Sequence, residues 1–149
     1  MLALCCDARV MSEGGRIGLN EVALGIPVPL YWGRLMASLT GAGRADALLQ
    51  TAALVPAAQA AALGLVDAVV PKEQLMAAAT QEAKRRLAFP DGGRIATKRM
   101  LRGPMAEAWA AYGAEEAARG WEGLASPATT AALGRVLASL SKAAPAAKL

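Results

Sequence analysis

The chain has 149 residues, 55% of them hydrophobic, and carries 16 basic against 12 acidic side chains, for a net charge of +4 and a pI near 9.4. That length suits one domain with a sizeable core, and the lack of histidine removes serine–histidine and cysteine–histidine nucleophile systems and most zinc sites. The modest basic excess fits a phosphorylated ligand, a nucleic acid or ordinary solvated faces, and with no aromatic-interleaved basic stripe the expectation is that no nucleic acid is bound.

Residues 1–6 are apolar, stop at Asp7 and are too few to nucleate a helix. Cys5 and Cys6, the only cysteines, are adjacent, so a reduced, intracellular protein is the simpler reading. Short strands are predicted over Ala8 to Met11 and Arg16 to Leu19, joined by Ser12-Glu-Gly-Gly15, as the edge of a larger sheet. Pro27 and Pro29 delay the next helix to Leu30, from which a buried helix runs to Leu39 and is ended by Gly41 and Gly43. Arg44 to Gln50 and Pro56 to Leu63 form two more helical stretches, the second with proline at its first position and Gly64 after its end. Leu65 to Val70 reads as a strand stopped by Pro71.

Beyond Pro71 the period becomes helical. Leu75, Ala79, Ala83 and Leu87 share one face while Lys72, Glu73, Glu82 and Arg86 stay solvated. After the break at Phe89-Pro90-Asp-Gly-Gly93, one helix is predicted over Ile95 to Leu101 and another carries Met105, Trp109 and Tyr112 toward Gly120. A last helix follows Ser126-Pro127, capped by Ser126, with Thr129, Leu133, Val136, Leu137 and Leu140 at helical spacing. The alanine-rich stretch 52–70 is interrupted by Pro56, Gln59, Gly64 and Asp67, so no membrane span is expected. The organisation is α/β: a small mixed front over 1–71, a helical region over 72–142 and a flexible tail over 143–149.

Glu21 stands out. Between Glu13 and Asp46 it is the sole acid, set among Ile17, Leu19, Val22, Leu24 and Ile26. A carboxylate in apolar company loses solvation, which raises its pKa toward the range useful for taking and returning a proton. The alternative is a buried structural carboxylate held by backbone donors. Asn20 has three open roles: orienting Glu21, meeting a substrate amide, or serving the turn. Leu24, Ile26, Tyr31 and Trp32 read either as a pocket lining or as plain core. Arg94, Lys98 and Arg102 recur every four residues and put three cations on one helical face.

Three stretches together carry a resemblance: Leu4-Cys-Cys-Asp7-Ala-Arg9, Ile17-Gly-Leu-Asn-Glu21-Val-Ala-Leu-Gly25-Ile-Pro27, and Ala57-Ala-Gln-Ala-Ala-Ala-Leu-Gly64-Leu-Val66-Asp-Ala-Val-Val-Pro71. In order and spacing they resemble the crotonase (enoyl-CoA hydratase/isomerase) superfamily, and the Gly-Leu-Asn-Glu form is most similar to its mitochondrial-type Δ3,Δ2-enoyl-CoA isomerases. The resemblance implies the C-terminal portion of a crotonase (ClpP/crotonase-like) fold, starting partway through. It also implies that Glu21 moves a proton from C2 to C4 of a 3-enoyl-CoA, that Asn20, Leu24, Ile26 and Trp32 face the substrate, and that Lys98 meets the CoA phosphates. CoA is then a substrate carrier, and neither a cofactor nor a metal is expected. Hydratases of the superfamily use a second glutamate twenty residues earlier, where this chain has Met1, which favours isomerisation.

The resemblance further implies a trimer or hexamer, or association of a catalytically impaired short chain with full-length relatives. The ending Ala147-Lys148-Leu149 resembles a peroxisomal import signal, so the expected location is peroxisomal in a eukaryote and cytoplasmic otherwise.

Overall fold

The computed structural model describes residues 1–143. Its first element is a single helical turn, α1 (Leu2–Cys5), where the sequence reading had none. Tertiary packing supplies what six residues cannot: Leu4 is buried in the core and its N–H reaches the Met1 carbonyl.

The strands β1 (Val10–Ser12) and β2 (Arg16–Ile17) flank the predicted turn, but they do not pair with each other. After α2 (Leu30–Thr40) and α3 (Ala42–Gln50), β3 (Val55–Pro56) returns antiparallel to β2, with Ile17 opposite Val55. Then α4 (Ala57–Ala62) leads to β4 (Ala68–Val70), which runs parallel to β1 with Met11 opposite Val69. One short connection therefore feeds two separate two-stranded sheets among the described residues.

Two local expectations shift. Gly41 (φ +84) does end α2, but Gly43 lies inside α3, because one glycine suffices to turn the chain. Pro56 precedes α4 and pairs in β3 instead of opening the helix. Gly64 (φ +77) follows α4 as expected, and an added Cβ there would press on the Leu39 carbonyl at 3.1 Å.

The core is built from Leu4, Leu19, Leu35, Met36, Val55, Ala60, Leu65 and Val66. Arg9 threads into it with a side chain only 7% exposed. Its guanidinium donates to the Leu65 carbonyl (2.8 Å), the Cys6 carbonyl (2.9 Å) and Asp67 Oδ2 (3.0 Å), while its backbone N–H also donates to Asp67 Oδ2 (2.8 Å). A buried charge survives in this way because every donor direction it offers the core meets an oxygen.

After a 3-10 turn over Lys72–Gln74, α5 (Leu75–Leu87) forms as predicted, with a rotated inner face. Leu75 and Ala79 are half-buried, but Ala83 and Leu87 are exposed, and Glu82 and Arg86, expected in solvent, are half-covered. α5 packs against β1, and Glu82 pairs along the helix with Arg85 (2.7 Å) and Arg86 (2.6 Å).

The two helices predicted around residue 103 are one, α6 (Asp91–Leu124), with Pro104 inside it. An internal proline costs about 3 kcal/mol. Contacts just beyond it offset the cost: Met105 packs on the core, Trp109 stacks on Tyr31 with 5.8 Å between ring centroids, and Tyr112 tilts against the same ring at 5.7 Å. The last helix, α7 (Pro127–Ala143), starts at the predicted Ser126 cap, whose Oγ accepts the Thr129 N–H at 3.2 Å. Thr129 and Ala132 are buried, while Val136 and Leu137 on the same predicted stripe are exposed. The tail ending Ala147-Lys148-Leu149 lies outside the described residues.

Candidate active site around Glu21

β2 ends at Ile17, and Gly18 passes so close to the segment leading into β3 that only a hydrogen fits between them: a Cβ there would overlap the Ala53 carbonyl oxygen. Leu19 then drops into the core at 4% exposure, and this anchor throws Asn20 outward and starts a 3-10 turn over Glu21–Leu24. The turn closes through Gly25 (φ +71), and the Ile26 N–H returns to the Glu21 carbonyl at 3.2 Å. Two later elements hold this loop from outside. Gly123 near the end of α6 faces the Pro27 ring, and fully buried Thr129 of α7 faces Gly25.

Glu21 is partly buried, and its Oε2 is sealed from solvent without a hydrogen-bond partner among the described residues. A buried acceptor left unpaired costs about 1–3 kcal/mol, which is tolerated where a ligand or reaction supplies the missing proton. Asn20 is exposed, and its side chain makes no cap to the turn and no bond to Glu21 among the described residues. Leu24 and Ile26 are half-buried on the loop, whereas Trp32 packs against the core cluster beside buried Tyr31.

Lys98 stands apart from this group. It donates to Asp7 Oδ2 (2.8 Å) while Arg102 takes Asp7 Oδ1 (2.8 Å). Gly123 is 25 residue steps beyond Lys98 along α6, about 37 Å at 1.5 Å per residue, so the chain does not bring Lys98 to its own Glu21. The Asp7 carboxyl is held below its ordinary value first by the hydrogen bond from Lys98, then by the charges of Lys98, Arg102 and Arg86, against partial burial that raises it. Glu82 falls to about 2 under the hydrogen bonds of Arg85 and Arg86. These groups border a groove of about 920 Å³ between α5, the first turns of α6 and the Asp7–Ala8 segment, and Glu21 is not in its lining.

Sequence reasoning missed the network around Tyr31. Trp109 Nε1 donates to Glu116 Oε2 at 3.0 Å, Arg34 lies 5.0 Å over the Tyr31 ring, and Glu116 Oε1 is buried without a partner among the described residues. The stripe containing Trp109 was visible, but its partner across the chain was not.

A half-buried carboxylate thus sits on a loop held at Gly18, Leu19, Gly25 and Pro27 within an α/β scaffold. The chain belongs to the enoyl-CoA hydratase/isomerase family, whose model matches residues 1–117, and its fold is of the crotonase type. It is similar to mitochondrial enoyl-CoA delta isomerase 1 of Mus musculus, at 40% identity over 104 residues, which are 68% of this chain and 36% of the mouse protein. It is also similar to crotonyl-CoA hydratase of Syntrophomonas wolfei, at 39% identity over 75 residues, 50% of this chain and 29% of that protein. The crystal structure of human mitochondrial delta3-delta2-enoyl-CoA isomerase overlays with a TM-score of 0.91 at 29% identity, covering 97% of this chain and 57% of that one. The chain thus spans about a third of the length of the curated relatives it matches.

Proposed function

We propose that this chain takes part in shifting the double bond of a 3-enoyl-CoA to the 2-trans position, in fatty-acid β-oxidation, with Glu21 as the single acid/base. The observation that carries the reading is the sealed Oε2 of Glu21, unpaired among the described residues, on a loop fixed from both sides. An allylic shift asks one group to remove a proton from C2 and return it at C4, and a carboxylate without a competing donor keeps its lone pairs for that proton. The dienolate oxygen needs oriented N–H donors, worth several kcal/mol of barrier. Leu24 and Ile26 provide apolar surface beside the acid, and the exposed Asn20 side chain, without a hydrogen-bond partner among the described residues, meets a polar part of the substrate in this reading. CoA enters as the carrier of the acyl group, with no cofactor or metal invoked.

A second reading has its own observation. Leu87, Phe89, Met100, Leu101 and Trp121 are 62–72% exposed, more apolar surface than an isolated small protein usually carries. It favours assembly, as a trimer or hexamer of this chain or as a catalytically impaired subunit docked on a longer relative, through a helical region over 72–142. If the source is eukaryotic, Ala147-Lys148-Leu149 directs it to peroxisomes, and otherwise it is cytoplasmic.

Purified chain is offered 3-hexenoyl-CoA and, separately, 2-hexenoyl-CoA in water, alone and mixed with a full-length isomerase. Formation of the conjugated 2-enoyl product without hydration supports the first reading. Turnover confined to the relative, with the two chains co-eluting on size exclusion, supports the second, and neither turnover nor co-elution overturns both.

A further inference from the structure

We propose that Glu116 is a positioning residue for Glu21: its hydrogen bond to Trp109 sets the aromatic clamp on Tyr31, and that clamp fixes the far arm of the Glu21 loop. The effect on turnover rests on the isomerase reading. The effect on the loop does not.

The argument starts on α6. Beyond Pro104 its half-buried positions are Met105, Trp109, Tyr112, Glu116, Gly120 and Gly123, three or four residues apart, and every residue between them is exposed. They form one inward stripe, and Glu116 is the one charged side chain on it. The stripe grips the chain that leaves the Glu21 loop at two points. Gly123 lies against the Pro27 ring, where an added Cβ would stand 3.6 Å from Cδ, and two heptads earlier Trp109 stacks on Tyr31 with 8° between the ring planes. Between the two grips run Pro27, Val28 and Pro29, and two prolines in three residues leave that arm little torsional freedom. A shift at Tyr31 is therefore passed to the loop instead of being absorbed.

Glu116 lies midway between the grips. Its Oε2 accepts the Trp109 Nε1–H at 3.0 Å across seven residues of the helix, which ties the indole to one angle over Tyr31. Its Oε1 is sealed from solvent and has no partner among the described residues. On stability alone leucine would serve as well, since it leaves no acceptor orphaned. What leucine cannot do is hold the indole. A residue kept for orientation and one kept for stability thus differ in what their replacement changes.

The test compares Glu116→Leu, Glu116→Gln and Trp109→Phe with the parent, and uses Glu115→Leu, on the exposed side of α6, as control. The first readout is amide exchange at the two bonds that close the loop, Gly25 N–H to the Val22 carbonyl (3.0 Å) and Ile26 N–H to the Glu21 carbonyl (3.2 Å), against Asp67 N–H to the Arg9 carbonyl (2.8 Å) in the core. In Glu116→Leu and Trp109→Phe the loop amides are expected to exchange at least about tenfold faster, with the core amide and the urea midpoint unchanged. Glu116→Gln, whose side-chain carbonyl still accepts from the indole, is expected to restore parental exchange, and Glu115→Leu to leave it alone. The second readout is turnover of 3-hexenoyl-CoA, where kcat is expected to fall about tenfold in Glu116→Leu with KM within about twofold, and to recover in Glu116→Gln. A parent without turnover defeats the isomerase reading and leaves the exchange result to decide this one. Loop exchange at the parental rate in Glu116→Leu, loop and core amides accelerating together, unfolding of both Glu116→Leu and Trp109→Phe, or faster loop exchange with kcat unchanged in an active chain overturns the proposal.

Discussion

Replacing Gly18 by alanine probes the contact that sets the height of the Glu21 loop. Gly18 does not have a positive φ, so alanine pays no backbone penalty there, and the whole effect is steric. The new Cβ would overlap the Ala53 carbonyl oxygen and stand 3.0 Å from both the Ala53 carbonyl carbon and Leu54 Cδ2. Ordinary carbon–oxygen contact needs about 3.3 Å, so β2 and β3 must part by roughly 1 Å. That parting pulls at Ile17 opposite Val55 and at the Arg16 guanidinium, whose Nη2 bonds the Leu54 carbonyl at 2.6 Å. Overpacking of this kind costs about 1–3 kcal/mol, and because the obstacle is backbone the expected loss is near 3. A protein of ordinary stability has only about 5–15 kcal/mol to lose. Urea unfolding followed by tryptophan fluorescence measures it, with Gly14→Ala as control, since a Cβ at Gly14 meets nothing within 4 Å. A Gly18→Ala protein within about 0.5 kcal/mol of both parent and control would refute the close approach, and with it the positioning of Glu21.

Other consequences follow from the same contacts. Asp67→Ala leaves the buried Arg9 guanidinium one anion short and is expected to cost about 2 kcal/mol in urea unfolding, less than for a fully buried pair because Asp67 is 40% exposed and water replaces part of it. Ser126→Ala removes the α7 cap and the partner of the Thr129 hydroxyl (2.9 Å), with an expected loss of about 1 kcal/mol. Asp7 has a lowered pKa, so its stabilisation is complete above the ordinary value of 3.8 and disappears as pH falls through the lower folded value. The stability gap between the parent and Asp7→Asn should therefore be constant from neutral pH down to about 5 and close in stronger acid; a gap that widens on acidification contradicts the pairing.

What the sequence made legible was local. Proline and glycine punctuation located α2, α4 and β4, and Ser126 marked the start of α7, because these signals act on their own backbone. Glu21 was visible because it is isolated among apolar neighbours. The joining of α6 across Pro104 was not visible, since the stacking of Trp109 on Tyr31 that offsets the proline depends on residues 78 positions apart. The rotation of α5 escaped for a related reason: hydrophobic period alone faced Leu87 inward, while α5 packs against β1, an element distant in sequence. Lys98 was legible as a cation on a helical face, but its partner, Asp7, lies 91 residues away and at the opposite end of α6 from the Glu21 loop.

The most direct measurement compares the parent and Glu21→Gln on 3-hexenoyl-CoA, with the same full-length relative present or absent in both. Glutamine keeps the shape and removes the proton acceptor, so the account predicts a fall in kcat of at least about 100-fold with KM nearly unchanged. Turnover by this chain that survives Glu21→Gln at parental rate would contradict it.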